Sequence, residues 1–327
     1  MSEPVTAVVP TRNRLPLLRQ TLGSILDQRG CEVRVVVVDE GSHDGTGEFL
    51  AALGDPRVEA LTNQRPLGVS GARNVGIAAA RTRWVGVCDD DDLWAPTKVA
   101  EQLAALAART DARWCVCDTV LVDDDLQVVG HRTMSDQGDA LAGLLVTNTV
   151  PATSGLLFEK ALFDEVGAFE VGLNESEDWE LAIRLARASP VAVAEGPLVA
   201  YRMTGAGLSS KTEKMRASFE LIRSRYADLA AAEGVEFDEH GYERYLAQSA
   251  LRGGDRIGAA RSFWRIGVEQ HSPKDLARAG AALTVPRTFD RKGDERARAA
   301  VPPAWLLEAR TWLSSVPLAG ASPGTPA

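Results

Sequence analysis

Trp84-Val85-Gly86-Val87-Cys88-Asp89-Asp90-Asp91-Asp92-Leu93-Trp94 runs from an apolar stretch straight into four consecutive carboxylates and leaves through Leu-Trp. Four like charges in a row repel one another and ordinarily form a solvated surface. Here they stand where a hydrophobic strand should end, and open α/β sheets place their ligand crevice at that edge. Packed carboxylates in a crevice favour a hard divalent cation, which in turn favours phosphate oxygens. The stretch predicts a metal and phosphate site at the edge of a parallel sheet.

The segments upstream fit that edge. Val5 to Val9 is a short, mostly apolar run closed by Pro10, and Leu15, Leu18, Leu22, Ile25 and Leu26 then recur at helical spacing. Val33 to Val38 reads as a second strand ending in Asp39, the turn Asp44-Gly45-Thr46 opens a helix, and Val58 to Leu61 reads as a third strand. A helix from about Val69 to Ala80 precedes the strand from Arg83 to Cys88. Strands alternating with helices at these lengths imply right-handed βαβ units and a mostly parallel sheet.

Downstream, Pro96 to Ala108 reads as helix and Arg113 to Val129 as one or two strands around Asp123-Asp124-Asp125. Ala140 to Leu145 has helical potential, Thr147 to Gly155 reads as loop, Glu177 to Ala188 as helix and Pro190 to Tyr201 as strand. From about Lys211 the pattern turns helical, with one helix around Phe219 to Tyr226, another over Tyr242 to Arg252, and a third carrying Ile257, Ala260, Trp264 and Val268 after the Gly253-Gly254-Asp255 break. A lone helix–turn–helix unit cannot bury its own face, so it should dock on the main domain or on another protomer. The expected organisation is a catalytic domain over 1–210, a helical domain over 211–316 serving dimerisation or acceptor recognition, and a disordered tail over 317–327.

The 327 residues, 45% hydrophobic and 25% charged, are ordinary globular material. No apolar stretch is long enough to cross a bilayer, and the start Met1-Ser2-Glu3-Pro4 has no signal-peptide character, so a cytoplasmic location is expected. Residues 1–210 hold 18 basic and 30 acidic groups, a balance of −12, which argues against nucleic acid as chief partner; residues 211–327 hold 18 and 15, a balance of +3. That milder basic segment could face phosphates, lipid headgroups or an acidic partner. Cysteines at 31, 88, 115 and 117 have no partner set for zinc and read as buried fillers.

Three acidic positions stand out. Asp39 either caps a turn or accepts hydrogen bonds from a base or ribose. The carboxylate run reads as above. Asp178, between Glu177 and Trp179, either complements a helix dipole or acts as a general base whose proton affinity is lifted by an apolar neighbour such as Trp179. Arg73, read alone, is a surface ion-pair partner, or beside a diphosphate a forked donor. There is no G-x-x-x-x-G-K-[ST] loop, H-E-x-x-H or G-x-S-x-G, which sets aside P-loop, zincin and serine-hydrolase readings.

Five stretches in order resemble the family 2 glycosyltransferases with the GT-A fold: Val8 to Arg14, Val38 to Thr46, Gly71 to Ile77, Cys88 to Trp94, and Glu177-Asp178-Trp179. The resemblance covers roughly residues 4 to 205 and implies a Rossmann-like mixed α/β sheet flanked by helices, with an all-helical C-terminal extension. It further implies that Pro10, Thr11 and Arg12 line a nucleotide pocket, and that Asp39 and Arg73 contact the base and ribose of a nucleotide sugar, a UDP-sugar being favoured. Asp89-Asp90-Asp91 corresponds to the family's D-x-D, with Asp89 and above all Asp91 as ligands of Mn²⁺ or Mg²⁺. Asp178 matches the catalytic base of an inverting transfer, with Glu177 and Trp179 beside the acceptor and sugar, and Arg202 near phosphate in a segment that closes over the donor. The acceptor would be a glycan, lipid carrier, small molecule or peptide side chain. Homodimerisation through the C-terminal helices and peripheral membrane contact are further expectations. Arg12 where relatives often carry an aromatic, and Glu40 for a frequent second aspartate, depart from the common pattern. A sugar-phosphate nucleotidyltransferase and a non-catalytic nucleotide-sugar scaffold are the competing readings.

Overall fold

The computed structural model describes residues 3–134, 138–173, 175–203, 208–285 (side chains from 212) and 295–316. Its parallel half is built as the alternating pattern predicts. Strand β1 (Val5–Thr11) lies between β2 (Val33–Asp39) and β4 (Trp84–Val87), and β3 (Val58–Thr62) pairs with β2, all in parallel. Helices α1 (Leu15–Leu26), α2 (Thr46–Leu53) and α3 (Gly68–Ala79) make the crossovers. On α3, a Cβ at Gly76 would lie 2.3 Å from a Val8 methyl, so only glycine lets this helix sit against β1. The register sets Thr11 beside Asp39 and Val8 beside Val87, which brings the chain ends after β1, β2 and β4 to one edge.

The second half makes the sheet mixed. It adds β5 (Leu93–Trp94), α4 (Lys98–Ala108), β6 (Trp114–Val122), β7 (Val128–Arg132), α5 (Ala140–Val146), a 3₁₀ turn (Thr153–Gly155), β8 (Leu157–Glu159), α6 (Lys160–Val166), α7 (Glu177–Ala188) and β9 (Val191–Arg202). Among the described residues the strand order is β3-β2-β1-β4-β8-β6-β9-β5, with β7 on β6. Strand β8 runs antiparallel between β4 and β6, whereas β9 runs parallel to β6. Both faces are covered. Ala7 and Val9 of β1 point into one apolar cluster with α1 and α4, while Val8 points into the other with α3 and α7.

Among the described residues the helices that follow include α8 (Leu208–Ala232), α9 (Glu239–Arg252), α10 (Arg256–Glu269), α11 (Pro273–Thr284) and α12 (Pro303–Leu313). The unit that sequence reasoning left in need of a partner finds one within the chain. Phe219, Ile222 and Tyr226 of α8, with Tyr242 and Leu246 of α9, complete the cluster that holds Trp179. Helix α12 returns to the opposite face, where Ala309, Trp312 and Leu313 join the cluster of β1 and α1. Between them, α9, α10 and α11 share a small core of their own around Phe263, Ala259 and Ala282. Helices α11 and α12 fall within the span expected to be helical, 211–316, though the sequence pattern places neither individually; β8 and α6 were not expected from the sequence. The expected tail over 317–327 and part of the expected closing segment, 204–207, lie outside the described residues. No described helix is long and apolar enough to cross a membrane. The four cysteines are free thiols, three of them buried.

Candidate active site

A cavity of about 900 Å³ opens at the carboxyl edge of the parallel strands. Pro10, Thr11 and Arg12 border it from the end of β1, Glu40 from the end of β2, and Asp89 to Asp91 from the end of β4. Its far wall comes from elsewhere in the chain: the 147–153 loop, Glu177 and Asp178 at the start of α7, Arg202 at the end of β9, and Met215, Tyr242 and Tyr245 from α8 and α9. A switch point in an α/β sheet is where such a crevice is expected.

The four carboxylates divide their work. Asp92 turns inward: Ser154 Oγ donates to it at 2.6 Å and the Arg202 backbone N–H at 3.0 Å. Burial, then the neighbouring Asp91 and Asp89, push its proton affinity well above the usual range. Asp90 accepts from Thr11 Oγ1 at 2.7 Å and from Arg14 Nη1 at 3.1 Å, and burial pushes its pKa up to about 6. Asp91 accepts from the same Arg14 nitrogen at 2.8 Å; burial and then Asp89 raise it too. A half-exposed guanidinium is therefore ion-paired with both carboxylates, in a patch of negative charge that a further cation would relieve.

Arg73 is the bracket behind that patch. It is 1% exposed, donates to Asp89 at 2.5 Å and to Glu177 at 2.6 Å, and lies 5.4 Å from the Phe169 ring centre. One arginine on α3 thus ties the acidic loop to the first turn of α7, whose Glu177 lies 104 residues beyond Arg73 in sequence. Its Nε has no partner among the described residues. Beside this bracket, Asp178 accepts from Thr153 Oγ1 at 2.9 Å and from the Trp179 backbone N–H at 2.7 Å. Burial, then the Glu177 charge, push its pKa up to about 6, overcoming the pull of Thr153 and Arg73.

Most of the sequence-predicted residues meet at this one cavity: Pro10, Thr11, Arg12, Arg73, Asp89, Asp90, Asp91, Glu177, Asp178 and Arg202 all border it. Asp39 and Trp179 are not among its described lining residues. Asp39 is 3% exposed and spends an oxygen on the Ser42 backbone N–H; the next residue, Glu40, faces the cavity and accepts from the backbone N–H groups of Leu67 and Gly68. The expected aromatic wall at Trp179 is a different feature. Its indole is fully buried, donates to the Leu144 carbonyl at 2.7 Å and packs against Phe219, Phe237 and Tyr242. Position 179 follows the cavity-facing Asp178 on a helix, so its side chain must point roughly 100° away. Arg202 is also committed differently from the phosphate contact expected. Its side chain donates to the Asp91 and Asp124 carbonyls and to Gln20 Oε1, bracing the acidic turn from behind.

Sequence reasoning missed Thr153 and Ser154, which hold Asp178 and Asp92, and the tyrosines of α9. The polar run 147–155 gave only a loop signal, and a tyrosine in an amphipathic helix reads as core.

Residues 6–167 match the family model described as glycosyl transferase family 2. The N-terminal half of this chain belongs to that family. Among curated relatives, the succinoglycan biosynthesis protein ExoO of Rhizobium meliloti (strain 1021) is 37% identical over 158 residues, spanning 47% of this chain and 43% of ExoO. An Escherichia coli UDP-Glc:alpha-D-GlcNAc-diphosphoundecaprenol beta-1,3-glucosyltransferase, WfaP, is 28% identical over 101 residues, spanning 31% of this chain and 40% of WfaP. The matched region is thus less than half the length of either relative. The fold likeness reaches further. The family 2 chain aligns with Staphylococcus aureus TarS 1–349 in complex with UDP over 95% of its length and 90% of the other, at a TM-score of 0.55 and 17% identity. It aligns with the Pyrobaculum calidifontis mannosyltransferase PcManGT in complex with GDP-Man and Mn²⁺ over 95% and 87%, at 0.56 and 18%. The architecture is of GT-A type.

Proposed function

We propose that this protein is a metal-dependent, inverting glycosyltransferase that moves a sugar from a nucleoside-diphosphate sugar, a UDP-sugar in preference, to an acceptor hydroxyl in the cytoplasm. The observation that carries the reading is the placement of Asp178: a buried carboxylate with raised proton affinity on the same cavity as Asp89 to Asp91. Those two groups divide the labour of a transfer reaction.

At the acidic end, hard oxygen donors fit Mg²⁺ or Mn²⁺. No cluster of three or more potential protein ligands occurs among the described residues, and these ions commonly use one or two carboxylates with substrate phosphates supplying the rest. Asp91, with Asp89, would hold the ion, which when bound offsets the charge that builds on the leaving diphosphate. Arg14 reaches the same carboxylates and is exposed enough to swing toward phosphate. Pro10 to Arg12 and Glu40 border the space that a nucleoside would take.

At the other end, Asp178 accepts the acceptor's proton as that oxygen attacks the anomeric carbon opposite the departing diphosphate; one C–O bond forms as the other breaks, and configuration inverts. Thr153 fixes one carboxylate oxygen, leaving lone pairs for the proton. Arg73 draws Glu177 aside, so that Asp178 is the carboxylate at this end free to take the proton. A buried base with a pKa of about 6 is ionised at neutral pH yet more basic than a solvated aspartate. Helices α8 and α9 supply the wall beside Asp178, which favours an acceptor-recognising role for the C-terminal segment. The relatives, a succinoglycan biosynthesis protein and a diphosphoundecaprenol-linked GlcNAc glucosyltransferase, favour a glycan or lipid-linked glycan as acceptor.

Replacing Asp178 with Asn keeps the shape and removes the base. The kcat of Asp178→Asn should fall by about 10²–10⁴, roughly 3–5 kcal/mol of transition-state stabilisation, with donor affinity preserved. Acceptor assays paired with donor-binding calorimetry check this; near-normal turnover would remove Asp178 from the role.

A further inference from the structure

Helix α10 carries a surface that the catalytic reading does not use. Its inner face, Ala259, Ala260, Phe263 and Ile266, is buried against α9 and α11. Its outer face carries Ile257, Trp264 and Val268, which are 60%, 60% and 53% exposed. At about 100° per residue these three fall within an arc of roughly 40°, and they run along the helix for about 16 Å. A tryptophan more than half exposed in a row with two β-branched residues is an unsatisfied apolar surface, not scattered exposure.

The charges around the stripe say what would cover it. Arg261 flanks the arc, about 20° beyond Val268, Arg265 lies further round and pairs with Glu243 at 2.7 Å, and Arg256 stands at the helix start; all three are exposed. From 252 to 278 the chain holds six basic and three acidic residues. Of those three, Asp275 is 2% exposed and paired with Arg244 and Arg278, Asp255 caps α10 through the Gly258 backbone N–H, and Glu269, exposed at the end of α10, lies 3.4 Å from His240. Residues 1–210 carry a balance of −12. The apolar stripe therefore sits in a basic patch on an otherwise acidic molecule.

We propose that the outer face of α10 docks on an anionic lipid surface, with Ile257, Trp264 and Val268 dipping below the headgroups and Arg256 and Arg261 on lipid phosphates. An amphipathic helix with Lys or Arg on its polar flank and a tryptophan on its apolar face lies in a membrane interface in this way. A second copy of the chain fits less well. Two-fold pairing through this stripe would set Arg261 and its neighbours against the same basic surface. An anionic bilayer instead attracts this patch and repels the acidic domain, which fixes one orientation of the molecule on the membrane. The inference is independent of the identity of donor, metal and catalytic base.

Flotation of the full chain with vesicles tests it. The protein should float with phosphatidylglycerol-rich vesicles, should not float with phosphatidylcholine alone, and should be released by salt. Trp264→Ser combined with Val268→Ser should weaken the binding about tenfold or more, and Arg261→Glu should weaken it as well, with circular dichroism and UDP binding unchanged. Failure of the wild-type chain to float, or equal flotation of the variants, overturns the proposal. If light scattering shows a wild-type dimer that Trp264→Ser converts to monomer while vesicle binding is unaffected, the face belongs to a second copy and the proposal is wrong.

Discussion

Strand β1 and helix α10 end in opposite situations. All seven residues of β1 are buried, because it has hydrogen-bonded strands on both sides and helices over both faces. Helix α10 has neighbours on one side only and leaves a tryptophan in solvent on the other. The contrast runs through the molecule. The parallel half is over-determined, so its chain ends can hold buried like charges against one another. The C-terminal helices split into parts that complete the main cores, α8 and α12, and a part that faces outward, α10 with α11. Residues for chemistry belong on the rigid part, and surfaces for docking on the other.

The seam between the two should be the most sensitive place. Trp179 packs at the joint of α7, α8 and α9, with its indole hydrogen-bonded and no exposed area. Trp179→Ala should cost about 3–5 kcal/mol in denaturant unfolding, by loss of burial and creation of a cavity. A loss below about 1 kcal/mol would mean that the helices are not part of the same cooperative unit. Within the rigid half, the raised pKa of Asp178 sharpens the comparison in another way. Its folded-state value of about 6 means that the base form is lost as pH falls through 6. The logarithm of kcat/KM should drop by about one per pH unit below that point and level off above it. That acidic limb should be missing from the residual activity of Asp178→Asn. The smallest effect belongs to the outward face: Trp264→Ser should change stability by no more than about 0.5 kcal/mol, because little area is lost on replacing an exposed ring.

The same contrast explains what the sequence makes legible. The apolar runs at Val5, Val33 and Trp84, each closed by polar or acidic residues, announce parallel strands without help from tertiary structure. So does the carboxylate run, whose place at a strand end is a matter of order along the chain. Strands β5 and β8 are two and three residues long, too short for any periodicity to appear. Helix α11 buries chiefly Ala279 and Ala282, which give little hydrophobic contrast, so its place within the helical C-terminal span is not marked in the sequence. In the site, residue types were legible and side-chain directions were not. Asp178 and Trp179 are neighbours in sequence, and one full helical step sends the first to the cavity and the second to the core. Asp39 and Glu40 exchange places for the same kind of reason: strand alternation turns one inward and the next toward the cavity. Arg73 and Arg202 read as ligand contacts because nothing in sequence reveals that Asp89 and Glu177 take both Nη groups of Arg73, or that Gln20 and two main-chain carbonyls take donors of Arg202.

The central claim is that carboxylates from separate stretches meet to grip a diphosphate through a divalent cation. Calorimetric titration of UDP, GDP and dTDP into the wild-type chain and into Asp91→Ala, with Mn²⁺ and with chelator, tests it directly. At least one nucleotide should bind the wild-type chain with Mn²⁺ and bind at least about tenfold more weakly with chelator or in Asp91→Ala. Equal affinity under all three conditions, or binding of none of the nucleotides, would contradict it.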